Sequence, residues 1–445
     1  MTHPAPTNCP PPALKHLKKP ELGLTDKITY SRRCIKPVLS TSIDRDVVAN
    51  ISDPLFTSRT EIDLTSCDVP IHLDKCDPLP LRVPSPYPKS TYPHLIFGVA
   101  TSYQRFEESL ASFSFWLSGS RAKIVGVVSD AFEKPRDLEA LEALYAEYDI
   151  EARFIKPMRA SLSVSENHFT IIRDLVREAK PETQWIGILD DDTFFPSLHR
   201  LSTALDTIDH TQPAYVGALS EDFKAVRNFG YMAFGGAGVF LSPPLARHLE
   251  PKLEKCLDEA KFHEGDALIR DCVYRESHTK LTLLPDLQQM DLGKDAAGFY
   301  EGGRNPLSLH HWKSWYHSPV TLMSTITHVC GDCFLQRWRM GEKTVFTNGY
   351  SVVEYRDGLR HLELDKMEAT WSAADSGYDF SIGPLRNKMP PEKKKSYKLL
   401  DAEVLPDGGL RQTYVFKGRK PEDQHEVLEL IWEGSRTGVL RSKPG

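Results

Sequence analysis

The sequence predicts an α/β sheet covered by helices on both faces, followed by a small β-rich C-terminal module. Three observations carry that prediction. Strand-like and helix-like patterns alternate from Leu95 onward. An apolar run, Trp185 to Leu189, ends abruptly in three carboxylates, Asp190, Asp191 and Asp192, as strands of such sheets do where their carboxyl ends carry ligand groups. From about residue 341 the chain changes to short β-rich runs punctuated by turn signals.

Taken in order, residues 1–92 are rich in Pro, Ser and Asp and show little periodicity, so they read as a stem and an irregular wrap onto the core. The α/β domain spans 93–340. Leu95 to Ala100 is a strand, and the helix after it places Phe106, Leu110, Phe113 and Leu117 on one stripe. Lys123 to Val128 is a second strand. Pro135 opens a helix whose apolar face is Leu138, Leu141, Leu144, Tyr145 and Tyr148. Ser163 and Glu166 have capping-box spacing, ahead of a helix with Phe169, Ile172, Val176 and Ala179 on its apolar face. The acid-tipped strand comes next. In the module, 341–445, Thr347 to Tyr350 and Asp407 to Gly409 are hairpin turns, and Glu426 to Trp432 is a further strand.

Three adjacent acids repel one another, so folding alone gives little reason to gather them. A hard cation carried by a diphosphate relieves that repulsion. The structural alternative is a solvated loop with one Asp capping the helix that Pro196 begins. Two upstream strand ends bring Thr101 with Arg105, and Asp130, to the same edge, although Arg105 also fits an exposed helix position and Asp130 a turn. Phe234 to Phe240 packs Gly235, Gly236 and Gly238 among apolar residues, either as a bulge or as a close approach of backbone to a ligand. Asp266 sits where a helix begins, and a purely structural N-cap is the commoner role for an acid there. His310 and His311 stand side by side next to Trp312.

Composition narrows the class. At 445 residues two domains are expected. A formal charge of −6 and a pI near 6.3 exclude a broad basic surface, hence a nucleic-acid partner. Lys393 to Lys395 reads as a solvated loop. No apolar run is long enough to span a bilayer, and Met1 to Pro20 has no signal-peptide core, so no membrane segment is expected in this chain. Of the eight cysteines, Cys67 and Cys76 are candidates for a local disulfide, and Cys256 and Cys272 for another. Cys330 and Cys333 read as a structural disulfide or two buried thiols. Asn50 begins the one glycosylation sequon, which permits a secretory route.

Together and in this order, these blocks resemble the family-31 glycosyltransferases: the Fringe and core 1 galactosyltransferase branch, and closest to it the largely fungal and plant branch with Ser-Leu-His-His. The likeness runs from about Leu95 to Trp315, with Pro213 to Gly217 as the strand after the triplet. It implies a GT-A-like, Rossmann-type nucleotide-sugar transferase sheet. It also implies inverting transfer of a hexose, of galactose or N-acetylglucosamine type, from a UDP-sugar to a hydroxyl of a glycan or glycoprotein acceptor. A β1,3 link, Mn²⁺ or Mg²⁺ as cofactor and a Golgi or secretory-lumen location follow from the same likeness. On it, Asp192, Asp190 and His310 are the expected metal ligands, with His311 the alternative histidine. Asp266 is the expected general base. Thr101, Arg105, Asp130, Asp190, Asp191 and the three glycines are the expected donor contacts. The family's acidic pair is here Gly265-Asp266, with Glu264 as a substitute for the missing acid. That departure keeps a non-catalytic glycan-binding module as the alternative.

Overall fold

The computed structural model describes residues 12–66, 76–133, 137–371, 379–420 and 422–434. In chain order its strands are β1 (Lys27–Leu39), β2 (Ala49–Ile51), β3 (Thr60–Asp63), β4 (Pro78–Val83), β5 (Leu95–Thr101), β6 (Lys123–Val128), β7 (Glu151–Ile155), β8 (Trp185–Leu189), β9 (Tyr215–Gly217), β10 (Val239–Leu241), β11 (Leu281–Leu283), β12 (Arg337–Met340), β13 (Thr344–Thr347), β14 (Ser351–Tyr355), β15 (Met367–Glu368), β16 (Leu385–Arg386), β17 (Lys394–Val404), β18 (Leu410–Phe416) and β19 (His425–Trp432).

The first sheet has the order β11-β9-β10-β8-β5-β6-β7. All its neighbours are parallel except β10, which runs antiparallel to β8 and β9. Every residue of β5 and β8 is buried, as continuous apolar runs require when helices cover both faces. Those helices include α1 (Tyr103–Leu117), α2 (Leu138–Glu147), α3 (Val164–Thr170), α4 (Ile172–Glu178) and α5 (Leu198–Leu205). Asp137 caps α2; Pro135, expected to open it, lies outside the described residues. The capping box at Ser163 and Glu166 is present, but the helix behind it is two helices rather than one, because the chain breaks at Ile171. Farther on come α6 (Phe223–Phe229), α7 (Pro243–Leu249), α8 (Leu253–Asp258), α9 (Gly265–Glu276), α10 (Ala297–Glu301) and α11 (Val320–Ser324). No helix among the described residues is long and apolar enough to cross a membrane.

The second sheet corrects two expectations. It has ten strands, in the order β2-β12-β13-β14-β17-β18-β19-β1-β3 with β4 on β1, so the β-rich unit is neither small nor confined to the C-terminal region. The segment read as an irregular wrap supplies β1 to β4. β1 pairs in parallel with β19, Ile28 opposite His425. Its buried positions, Ile28, Tyr30, Ser31 and Ile35, do not alternate cleanly, and its partner is distant in sequence, which hides it from local pattern. Both hairpin turns form as expected. Lys394 and Lys395 lie in β17 rather than a loop; the Nζ of Lys394 is 2.7 Å from Oε1 of the buried Glu368.

Among the described residues there are three disulfides: Cys34–Cys76, Cys256–Cys272 and Cys330–Cys333. Cys76 therefore pairs with Cys34 and not with Cys67, which lies outside the described residues. The parallel β1–β4 pair, with Cys34 opposite Pro78, brings Cys34 beside Cys76.

Candidate active site

The three acids follow β8 directly, at the carboxyl edge of the first sheet, and each has a different environment. Asp191 is buried and takes a two-point ion pair from Arg105, while the hydroxyl of Thr101 donates to its Oδ2 at 3.1 Å. Arg105 and Thr101 are thus brought to the triplet as expected, with Asp191 as their direct partner. Asp130 stands at the same edge and accepts the N–H of Tyr103 at 2.9 Å, helping to start α1. Asp190 leans the other way, with 42% of its side chain exposed.

His310 completes the group. Its Nε2 is 3.0 Å from Asp192 Oδ1 and 3.4 Å from Asp190 Oδ2. Its Nδ1 faces the carbonyl of Gln289 at 3.1 Å, which fixes the ring so that Nε2 points at the acids. Backbone bonds between Phe194 and Leu309, 2.9 and 2.8 Å, tie the triplet to the histidine segment. The hydroxyl of Ser314 donates to Asp192 Oδ2 at 3.0 Å. His311 is turned aside: its Nε2 is 3.1 Å from Asp291 Oδ1 and its ring stacks on Trp315 at 3.6 Å. Donor atoms of Asp192, His310 and His311 nevertheless lie within 4.8 Å of one another.

The donor set suits a divalent cation. Burial alone lowers the pKa of His310, yet the neighbouring Asp190 and Asp192 carboxylates push it up to about 10. For Asp192, burial raises the pKa and the His310 contact outweighs it, leaving it below the ordinary value. The acids hold a proton on His310 because negative charge is in excess, and a bound cation satisfies the same demand.

Asp266 is the second residue of α9, and Glu264 occupies the N-cap position without a side-chain bond. Helix capping therefore does not explain Asp266. Its Oδ2 accepts the N–H of Gly235 at 2.7 Å. The glycine block makes room for side chains of the site itself. A β-carbon at Gly235 would lie 2.2 Å from Asp266 Oδ1, and one at Gly236 would lie 2.1 Å from His310 Cε1. Gly238 has φ +103°, a backbone state that L side chains rarely adopt. At Gly265, where the resembled family has a second acid, a β-carbon would stand 2.8 Å from the carbonyl of Ser165, so α9 crosses α3 too closely for any side chain.

Asp190, Asp266, Glu264 and Gln289 share a cavity of about 340 Å³. Its opposite wall is apolar, from Val164, Phe229 and Met232. The segment behind that wall is fastened to α9 by Arg270, which donates to the Phe229 carbonyl, and by Tyr274, whose hydroxyl donates to the Tyr231 carbonyl at 2.9 Å. Sequence reasoning missed three residues here: His168, Gln289 and Asp291. His168 is 5% exposed, with Nδ1 3.5 Å from Asp190 Oδ1 and Nε2 3.4 Å from Asp266 Oδ1. Burial lowers its pKa, but Asp266 and Asp190 override that and raise it above the usual histidine value.

Residues 226–326, which carry the glycine block, Asp266 and His310, match a family described as "Protein of unknown function, DUF604". No curated protein matches the chain in sequence. Similar solved structures include mouse xyloside xylosyltransferase 1 in its apo form, at 13% identity over 43% of this chain and 84% of that one, with a TM-score of 0.30. The Pyrobaculum calidifontis mannosyltransferase PcManGT, in complex with GDP-Man and Mn²⁺, matches at 11% identity over 49% of this chain and 62% of its own, TM-score 0.28. The galactosyltransferase LgtC, in complex with donor and acceptor sugar analogs, matches at 12% identity over 51% and 81%, TM-score 0.29.

Proposed function

We propose that this chain is a metal-dependent, inverting glycosyltransferase of GT-A type. In this reading it moves a hexose, of galactose or N-acetylglucosamine type, from a UDP-sugar to a hydroxyl of a glycan or glycoprotein, forming a β1,3 link. The observation that carries the reading is the pairing of two unlike groups on one cavity. Asp190 of the carboxylate–imidazole cluster lines it, and so does Asp266, whose carboxylate is aimed by the Gly235 N–H. A single base with no enzyme nucleophile is what an inverting displacement needs.

Asp192, Asp190 and His310 would hold Mn²⁺ or Mg²⁺, with His311 the alternative histidine. Such a cation supplies charge neutralisation for the leaving diphosphate. Arg105, braced on Asp191, offers its exposed side to the nucleotide, with Thr101 and Asp130 beside it. Asp266 takes the proton from the acceptor hydroxyl as that oxygen bonds to the anomeric carbon from the face opposite the departing phosphate oxygen. The apolar wall at Val164, Phe229 and Met232 receives the acceptor and keeps water from Asp266. The disulfides among the described residues agree with a Golgi or secretory-pathway lumen.

The test is a thermal-shift titration with UDP, with and without Mn²⁺, on wild type and Asp192→Asn, followed by a UDP-sugar screen with glycan acceptors. Metal-dependent stabilisation lost in the variant, together with sugar transfer, is the expected result. The side chain absent at Gly265 favours a second reading, a non-catalytic glycan-binding module. UDP and Mn²⁺ binding without transfer or donor hydrolysis would select it.

A further inference from the structure

We propose that His168 is a positioning residue that locks the Asp266 carboxylate in the orientation needed to receive the acceptor proton; this rests on the reading of Asp266 as the base. The sequence places His168 on a seven-residue helix whose start is fixed by the Ser163–Glu166 capping box. That helix lies against the beginning of α9, so the imidazole is delivered between the end of β8 and Asp266. The carboxylate then has one hydrogen bond and one close imidazole neighbour. Oδ2 is bound by the N–H of Gly235 at 2.7 Å, and Oδ1 faces His168 Nε2 at 3.4 Å.

Two glycines clear the space for this ring. A β-carbon at Gly235 would come within 2.9 Å of His168 Nε2, and one at Gly265 within 2.8 Å of His168 Cδ2. Nε2 is buried and makes no hydrogen bond of ordinary geometry in this state. Leaving a buried donor short of its partner is costly, and contacts of this kind tighten when substrate closes a site. A histidine that merely filled space would not present its two nitrogens to carboxylates of two separate elements. With the Gly235 bond alone, the carboxylate is free to swing about its terminal torsion, and the proton-accepting oxygen loses its aim.

The experiment compares His168→Gln, whose amide nitrogen reaches the Nε2 position, with His168→Asn, which reaches only the Nδ1 position. In the presence of Mn²⁺ the expected result is a KM for the UDP-sugar within about threefold of wild type in both. The expected kcat is within about tenfold of wild type for Gln and at least about a hundredfold lower for Asn. Equal kcat in the two variants, with their melting temperatures unchanged, overturns the proposal. A second readout needs no turnover. In protein with ¹⁵N-labelled histidine, Asp266→Asn is expected to move the His168 Nε2 resonance and Asp192→Asn to leave it in place. An unmoved Nε2 signal in Asp266→Asn overturns the contact whether or not a donor sugar has been found. A moved signal without transfer from any donor counts against the proposed reaction and leaves the contact standing.

Discussion

A β-carbon added to Gly236 would stand 2.1 Å from Cε1 of His310 and 2.2 Å from its Nδ1. One position along the chain, the same addition at Gly235 meets Asp266 instead, at 2.2 Å. Adjacent glycines thus guard two separate side chains, the His310 imidazole and the Asp266 carboxylate.

Neither glycine has a positive φ, so alanine at either position adds volume without straining the backbone. Gly236→Ala is expected to displace His310 and abolish Mn²⁺-dependent stabilisation by UDP. Gly235→Ala is expected to keep that stabilisation and lose at least about a hundredfold in kcat, a typical worth for a well-aimed base. Thermal shift and initial-rate assays on the pair check both outcomes. Loss of metal-dependent binding in Gly235→Ala would break the distinction.

Asp266→Asn keeps the shape of the side chain and its acceptor oxygen for the Gly235 N–H. UDP binding should therefore stay within about twofold while transfer falls by about 10²- to 10⁴-fold. Calorimetric UDP titration beside a transfer assay measures the two quantities. Transfer near the wild-type rate would remove Asp266 from its assigned role.

Glu221 gives the fold a pH dependence. Burial, and then the charge of Asp291, push its pKa from 4.5 up to about 7. Below about pH 4.5 the group is protonated in both folded and unfolded chains and contributes nothing. Between 4.5 and 7 the folded protein holds a proton that the unfolded chain has released, so stability falls as pH rises. Above 7 the full cost is present, on the order of 3 kcal/mol. Glu221→Gln is therefore expected to stabilise the protein in urea unfolding at pH 8 and to do little at pH 4.5. The same gain at both values would contradict the sign.

The Cys256–Cys272 bridge joins α8 to α9, the helix that carries Asp266. It closes a loop of 16 residues, and loops of that size are worth about 3 kcal/mol on the chain-entropy account. Replacing both cysteines by alanine should lower stability by about that much. On the proposed reading it should also lower kcat more than it alters the KM for donor, since Asp266 sits on α9 while Asp190, Asp192 and His310 do not. Chemical unfolding and steady-state kinetics test both parts.

What was legible in the sequence followed local pattern. The continuous apolar runs of β5 and β8, the acid triplet at the strand end and the Ser163–Glu166 box each announce themselves within a few residues. His168 stayed hidden because its partners, Asp190 and Asp266, meet it only in three dimensions, and because it lies beside the apolar stripe at Phe169. β1 was hidden for a related reason. Lys27, Arg32, Arg33, Lys36 and Pro37 blur its alternation, and its main partner is β19. The same non-local pairing misled the cysteine reading, since Cys34 reaches Cys76 through the β1–β4 register.

That parallel pairing of β1 with β19 also sets an order of events during synthesis. The seven strands of the first sheet, Leu95 to Leu283, leave the ribosome with all their partners in hand. β1 emerges before any of them, yet its long partner, His425 to Trp432, is translated after all of them. β3 and β4 cover one edge of β1 early, but its other edge, Ile28 to Ile35, stays open until β19 is made, the kind of edge that invites pairing with other chains. A nascent chain stalled before residue 425 thus carries a finished first sheet beside an open second one. Chaperone attention is expected to concentrate on the open edge of β1, and to end when β19 arrives.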